Sequence, residues 1–292
     1  MDKSLKIVVL AKQVPDTRNV GKDAMKEDGT VNRAALAAIY NPEDLNALEL
    51  ALTLKDMVEG STVTILTMGP TRAADIIRES IFRGADNGVL LTDRKFAGSD
   101  TLATSYALSC AIKNINPDII FAGRQAIDGD TAQVGPQVAE KMNLPQVTYA
   151  EEIQKVEDGK IFIKRRLENG VEEVVCSLPM VVTVNASAPD SRPRNAKRVM
   201  KFKHAKTPTE RQEIENADYS KLFSEREYLN IVEWGVADVD ADPEQLGLTG
   251  SPTKVKKIEN IVFQTKEAKK LTASDEDVSA LMSELISSHT LG

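Results

Sequence analysis

The sequence predicts an α/β fold, with a mostly parallel sheet covered by helices on both faces. Three observations carry that expectation. Short apolar or β-branched runs occur at 5–10, 62–67, 88–91 and 118–122, each bounded by Gly, Pro, Asn or Asp. A helical pattern lies between each consecutive pair of runs, and such alternation calls for parallel strands joined by crossovers. The helix patterns also open on recognisable start signals.

Leu5-Lys6-Ile7-Val8-Val9-Leu10 reads as the first buried strand. Asn41-Pro42-Glu43-Asp44 starts a helix, with Asn41 as N-cap, Pro42 at the first helical position and two carboxylates facing the positive dipole end. Leu45, Leu48 and Leu52 then recur at helical spacing and should face a sheet. The strand at 62–67 leads through Gly69-Pro70 into a helix at 71–83, and the strand at 88–91 through Gly98-Ser99 into a helix at 100–114. The strand at 118–122 precedes a glycine-bearing loop and a helix at about 133–142. Residues 147–156, 161–166 and 172–176 then alternate apolar with charged side chains, separated by Asp158-Gly159 and Asn169-Gly170. Those tight-turn dipeptides imply an antiparallel meander. Met180-Val181-Val182-Thr183-Val184 closes the domain as a last buried strand, placing a boundary near residue 185.

Beyond it the sequence divides into an extended arm, 186–235, and a C-terminal segment, 236–292. The arm is polar and basic up to about residue 206. From 209 to 234 it is mostly charged, with scattered anchors Leu222, Phe223, Tyr228, Leu229 and Trp234. So little apolar material implies packing on another chain. The C-terminal segment ends in a helix capped by Ser274-Asp275-Glu276-Asp277, with Val278, Leu281, Met282, Leu285 and Ile286 on one face.

Composition narrows the chemistry. The 292 residues hold 37 basic against 44 acidic side chains, a net charge of −7, which argues against nucleic acid as a partner. The first apolar run is too short for a signal peptide or a membrane span, so the cytoplasm is the expected location. Cys110 and Cys176 have neither metal-ligand spacing nor the density of a disulfide scaffold. The two histidines, His204 and His289, lie in polar sequence without the neighbours that triad or zinc chemistry needs. Chemistry done by this chain is therefore expected to belong to a cofactor, with no catalytic side chain and no metal.

In open parallel sheets ligands bind beyond the carboxyl ends of the strands. Here those ends are 11–16, 67–70, 92–93 and 122–131, and the last is the most informative. Gly123 and Gly129 allow close backbone approach, and Thr131-Ala132-Gln133-Val134-Gly135 opens a helix whose free N–H groups suit phosphate. Asp128 and Asp130 would repel phosphate if turned inwards, so they are expected to brace the loop or cap the helix. No strand is followed by Gly-x-Gly-x-x-Gly and no P-loop occurs.

These residues resemble the beta (small) subunit of electron-transfer flavoproteins. The resemblance rests on Lys6-Ile7-Val8-Val9-Leu10-Ala11-Lys12-Gln13-Val14-Pro15-Asp16, on Asn41-Pro42-Glu43-Asp44 with Ala47-Leu48-Glu49, and on Gly123-Arg124-Gln125-Ala126-Ile127-Asp128-Gly129-Asp130 with Gln133 and Gly135. The fourth feature is Leu246-Gly247-Leu248-Thr249-Gly250-Ser251-Pro252-Thr253. It implies a Rossmann-like adenine-nucleotide-binding domain over 1–185, a partner-recognition loop around 188–198 in the arm, and a C-terminal segment packed on a larger alpha subunit that carries FAD.

In simple members of the family the small subunit holds AMP. In electron-bifurcating members it holds a second FAD that takes hydride from NADH. One electron then goes to ferredoxin or flavodoxin, and the other through the alpha-subunit FAD to an acyl-CoA dehydrogenase-type acceptor. Simple members carry aromatic residues where this chain has Thr17 and Glu43, and Gly29-Thr30-Val31-Asn32-Arg33 running into Ile39-Tyr40-Asn41-Pro42 resembles the bifurcating pattern. The expected cofactor is thus FAD, with AMP as the non-bifurcating alternative. A stand-alone ATP-binding domain is the alternative of another class.

Carried over by position, the Ala11 backbone, Asn41 and the Met68-Gly69 turn should surround adenine and ribose. Gly123 and Thr131, Ala132, Gln133, Val134 and Gly135 should hold phosphates. The family's Asn and Thr beside the glutamine are replaced by Ala132 and Val134, so backbone contacts are expected there. Asp100, Thr101 and Thr104 are rim candidates with helix capping as the alternative, and either Arg124 or the alpha subunit would place a positive charge near the flavin N1–C2=O edge. Val199, Met200 and Phe202 are the apolar candidates of the recognition loop.

Overall fold

The computed structural model describes residues 4–17, 36–212, 217–254 and 268–291; the segment 29–33 lies outside the described residues. The chain divides into two units, 1–256 and 257–292.

The first unit opens with β1 (Lys6–Leu10), the short strands β2 (Gln13–Pro15) and β3 (Ala38–Tyr40), and α1 (Pro42–Met57). It continues through β4 (Thr62–Met68), α2 (Ala74–Arg83), β5 (Asn87–Leu91), α3 (Thr101–Ile115), β6 (Ile119–Gly123) and α4 (Val134–Met142). The meander follows as β7 (Gln146–Glu157), β8 (Lys160–Leu167) and β9 (Gly170–Ser177), then β10 (Met180–Val184). The arm forms α5 (Ala196–Phe202), α6 (Pro208–Gln212), α7 (Ala217–Glu225) and β11 (Val232–Trp234).

Among the described residues the main sheet runs β11-β5-β4-β1-β6-β10-β7-β8-β9. Every pairing from β11 to β7 is parallel, and β8 and β9 add antiparallel strands. The expected mostly parallel sheet is therefore present. One apolar cluster packs the sheet against α1, α2 and α5, and the other against α3 and α4. From β1 the chain builds outward through β4 and β5, then returns to place β6 on the other side of β1. The connections diverge there, so the carboxyl ends of β1 and β6 form the switch point at which open parallel sheets keep their ligand crevice.

The expected strands and helices lie within one or two residues of their sequence positions, apart from 71–83, where a short 3-10 turn at Thr71–Ala73 precedes α2. The arm departs from expectation. It does not leave the body: β11 pairs with β5 at the sheet edge, and Phe202, Ala205, Phe223, Leu229 and Ile231 are buried in this chain's own core. Of the expected anchors, Phe223 and Leu229 fill sites prepared by the α/β layers, whereas Tyr228 stays exposed.

Residues 186–195 cross the outer face of α1. Asn46 Nδ2 donates to the Ala188 and Pro189 carbonyls (3.0 and 2.9 Å). The Arg192 guanidinium pairs with Glu49 and Asp56 (both 2.9 Å), and Arg194 with Glu79 (2.7 Å). This cover explains why α1 buries Ala47, Leu50 and Leu54 as well as the expected Leu48 and Leu52, while Leu45 is only half-buried. Arg192→Ala is expected to cost about 2 kcal/mol, since it removes hydrogen bonds to charged partners. It should also speed proteolytic cleavage within 186–195, read by limited proteolysis.

In the second unit, α8 (Asp275–Ser287) has Ser274 as N-cap, its Oγ accepting from the Asp277 amide (3.2 Å). Val278, Met282 and Ile286 are exposed on it. No helix among the described residues is long and apolar enough to cross a membrane.

Candidate functional site

The start of α1 builds the crevice. Asn41 stands at the N-cap position, yet its side chain does not cap the helix. Its Nδ2 donates to the Gln125 carbonyl (2.9 Å) and its Oδ1 accepts from the Ile127 amide (3.2 Å). Glu43 accepts from the Gln125 amide (2.9 Å) and from Arg124 Nη2 (3.0 Å). Asp44 accepts from the Lys12 amide just after β1 (2.8 Å) and from the Gly123 amide ending β6 (3.1 Å). The expected dipole-facing acids are thus buried struts joining the two lips of the crevice. Across its mouth Lys12 Nζ meets both Asp128 oxygens at 2.8 Å.

Burial has a price in Asp44, whose carboxyl is pushed up to about 7 by desolvation, against the lowering effect of its bonds with Lys12, Asn41 and Gly123. Arg124 is held above its ordinary value, chiefly by its hydrogen bond to Glu43. It is therefore one half of an ion pair, its charge largely balanced by Glu43.

The loop after β6 has the backbone geometry of an anion site. Asp130 and Ala132 are left-handed (φ 50 and 53), and Gln133 is right-handed. Alternation of that kind turns successive N–H groups toward one point, a nest that suits an anion. The amides of 131–135 have no acceptor among the described residues, and α4 begins at Val134. Asp128 and Asp130 turn to Lys12 and to Gln125 Nε2 (2.9 Å) respectively, bracing the loop.

Gly135 serves packing. A Cβ there would lie 2.6 Å from Thr183 Cγ2, so the glycine lets α4 sit close on β10. Gly135→Ala is expected to cost roughly 1–3 kcal/mol by overpacking. Thr183→Ser in the same chain removes the offending methyl and should restore most of that loss, measured by urea unfolding.

The other expected residues divide. Ala11 is buried beside Lys12, its amide bonded to the Leu66 carbonyl, and Met68-Gly69 ends the neighbouring strand β4, with the Gly69 amide on the Leu91 carbonyl. Thr101 joins the loop after β6, its Oγ1 donating to Gln133 Oε1 (2.9 Å). Asp100 instead caps α3, accepting from the Leu102 and Ala103 amides (both 3.0 Å) and from Thr253 Oγ1 (2.7 Å). It thus anchors the 246–253 motif, and burial of its carboxyl is outweighed by the bonds from Thr253, Ala103 and Leu102, leaving it below its ordinary value. Thr104 is half-buried one turn further on.

Sequence reasoning missed Tyr149. It lies inside β7 with φ 59, its N–H donating to Thr183 Oγ1 (3.3 Å), and its ring is 37% exposed at the carboxyl rim. A left-handed tyrosine costs of order 1–3 kcal/mol, and no turn signal in the surrounding sequence announces it. The struts Glu43 and Asp44 were visible as residues, but only the fold shows them reaching Lys12, Gly123 and Gln125.

An adenine nucleotide fits this donor set: backbone amides for phosphate, and a crevice between β1 and β6 for the nucleoside. Comparison with known proteins agrees with the geometry. The electron transfer flavoprotein domain matches residues 28–219. The electron transfer flavoprotein subunit beta of Clostridium acetobutylicum is 43% identical over 265 residues, covering 91% of this chain and 90% of that protein. Subunit CarD of the caffeyl-CoA reductase-Etf complex of Acetobacterium woodii is 40% identical over 252 residues, 86% of each chain. The acryloyl-CoA reductase electron transfer subunit gamma of Anaerotignum propionicum is 53% identical over 182 residues, 61% of this chain and 67% of its own. The matched length, together with a crevice assembled by the same motifs, makes this chain a member of the electron transfer flavoprotein family, on the beta-subunit side.

Proposed function

We propose that the crevice between β1 and β6 holds an FAD of this chain's own, in a heterodimer with an alpha subunit, and that the pair works as an NADH-dependent bifurcating electron carrier. The observation that carries nucleotide binding is the row of amides at 131–135 without an acceptor among the described residues, beside the left-handed Ala132. When bound, FAD supplies the hydride and one-electron chemistry.

The chain's own residues bind and orient. The amides from Thr131 to Gly135 take the phosphates, the Ala11 backbone and the Met68-Gly69 turn border adenine and ribose, and Asn41 acts by holding the loop. Glu43 fixes Arg124 on the rim, so the charge offered to a ring there is that of a balanced pair. Thr17 and Glu43, in place of the aromatic residues of simple members, favour the larger ligand over AMP.

The relatives named for caffeyl-CoA and acryloyl-CoA reductases support a flavin dehydrogenase of the acyl-CoA class as high-potential acceptor. Ferredoxin or flavodoxin would take the other electron. The arm around 188–198 would meet the dehydrogenase, and the exposed face of α8 would pack on the alpha subunit.

Flavin content per heterodimer tests the reading, measured after co-expression with the alpha subunit by extraction and absorbance. The expected result is close to two FAD, bleached by NADH. One FAD with extractable AMP would reduce this chain to the structural half of a simple carrier. Binding of ATP by the chain alone, without flavin, would overturn the reading.

A further inference from the structure

A second cavity lies at the opposite end of the sheet from the nucleotide crevice. It measures about 360 Å³ and opens between α5, the amino ends of β5 and β11, and the turn at 227–231. Its character is cationic and aromatic, and it is lined in part by Arg198, Lys201, Phe202, Tyr228 and Asn87.

The charge here runs against that of the whole chain. Residues 192–206 carry seven basic side chains and no acidic one, in a protein of net charge −7. Arg192 and Arg194 are paired with α1 and α2, and Arg198 is fixed by donating to the Ile81 and Ala85 carbonyls. Lys201 has no carboxylate partner among the described residues. Its ammonium lies over two rings instead, 5.0 Å from the centre of Phe202 and 4.7 Å from that of Tyr228. Those rings meet edge to face, with centroids 5.4 Å apart. Of the two acids in the lining, Asp86 pairs with Lys55 (2.7 Å) while also acting on Arg198, and Glu227 is exposed.

We propose that this cavity receives an acidic side chain from a protein partner. The fixed guanidinium and the ring-seated ammonium present two positive charges to one incoming carboxylate. A protein surface is favoured over a small free anion by the lining itself, where Tyr228 and Val232 are 41% and 45% exposed. A small anion leaves that apolar area wet, whereas a protein covers it. The direction is the reverse of a recognition loop that inserts its own apolar side chain into a partner: here the partner inserts and this chain receives. The inference rests on the carrier reading only for the partner's place in electron transfer, because the cavity lies away from the nucleotide crevice.

The test uses the full-length heterodimer and the peptide Leu-Asp-Glu-Leu-amide carrying an N-terminal fluorophore, with binding read by fluorescence anisotropy. Saturable binding is expected, weakened about fivefold or more by Lys201→Gln and by raising salt from about 0.05 to about 0.5 M. Tyr228→Ala should weaken it as well. No saturable binding, equal binding of the lysine-substituted peptide, or unchanged affinity in Lys201→Gln would overturn the proposal. So would inorganic phosphate competing as tightly as the peptide, which marks a small-anion site. Flavin content measured on the same Lys201→Gln protein should equal wild type, so failure here is distinguishable from failure of the cofactor reading.

Discussion

Replacing Asp44 with alanine is expected to cost about 2–6 kcal/mol, because two backbone donors, Lys12 N–H and Gly123 N–H, lose their acceptor at once. Both lie at the lips of the crevice, so the variant should also purify with its nucleotide depleted. Urea unfolding and nucleotide extraction measure the two effects. Asp44 gives a pH signature too. Its ordinary value of 3.8 applies to the unfolded chain, and burial raises it to about 7 in the fold. Between those values the native state holds a proton that the unfolded state has released. The contribution is therefore fully present below about pH 4 and lost as pH rises through about 7. The limiting slope is about 1.4 kcal/mol per pH unit. Asp44→Asn cannot titrate, so its stability between about pH 5 and about pH 8 should fall less steeply than wild type.

Gly123→Ala is the second large effect. Its Cβ would lie 2.4 Å from Asp44 Oδ1 and 2.8–2.9 Å from the backbone of Glu43 and Asp44. Backbone cannot swing aside as a side chain does, so the start of α1 must move off β6. A loss of about 3 kcal/mol is expected, with loss of bound nucleotide. Gly129→Ala is the control six residues away in the same loop, where an added Cβ meets nothing within 4 Å. Near-wild-type stability at 129 beside a large loss at 123 is the expected pair of results in thermal unfolding.

Elements whose cause is local were legible in the sequence. Strands at 62–67 and 118–122 announce themselves by apolar runs, and α3 by the Asp100 cap that the structure finds on the Leu102 and Ala103 amides. The helix start that closes the loop from Gly123 to Gly135 was equally legible, because a helix start carries its free amides with it, but the left-handed turns fall on Asp130 and Ala132 rather than on Gly129. Features set by distant partners were not. Nothing near Asn41 says that its amide faces Gln125 and Ile127 rather than the first turn of α1, a choice made when β6 lands beside β1. The three-residue strand β11 is too short to show a period, and only β5 at the sheet edge makes it a strand. The packing of the basic arm on its own chain was not legible because its counter-charges, Glu49, Asp56 and Glu79, lie more than a hundred residues earlier.

Photolabelling of the heterodimer with the 8-azidoadenine analogue of FAD, followed by peptide mapping, tests the placement of the nucleotide most directly. Labels on this chain within 11–16, 68–70 or 123–135, and their loss in Gly123→Ala but not in Gly129→Ala, are the expected result. Labels confined to the alpha subunit, or to other segments of this chain, would contradict a cofactor seated between β1 and β6.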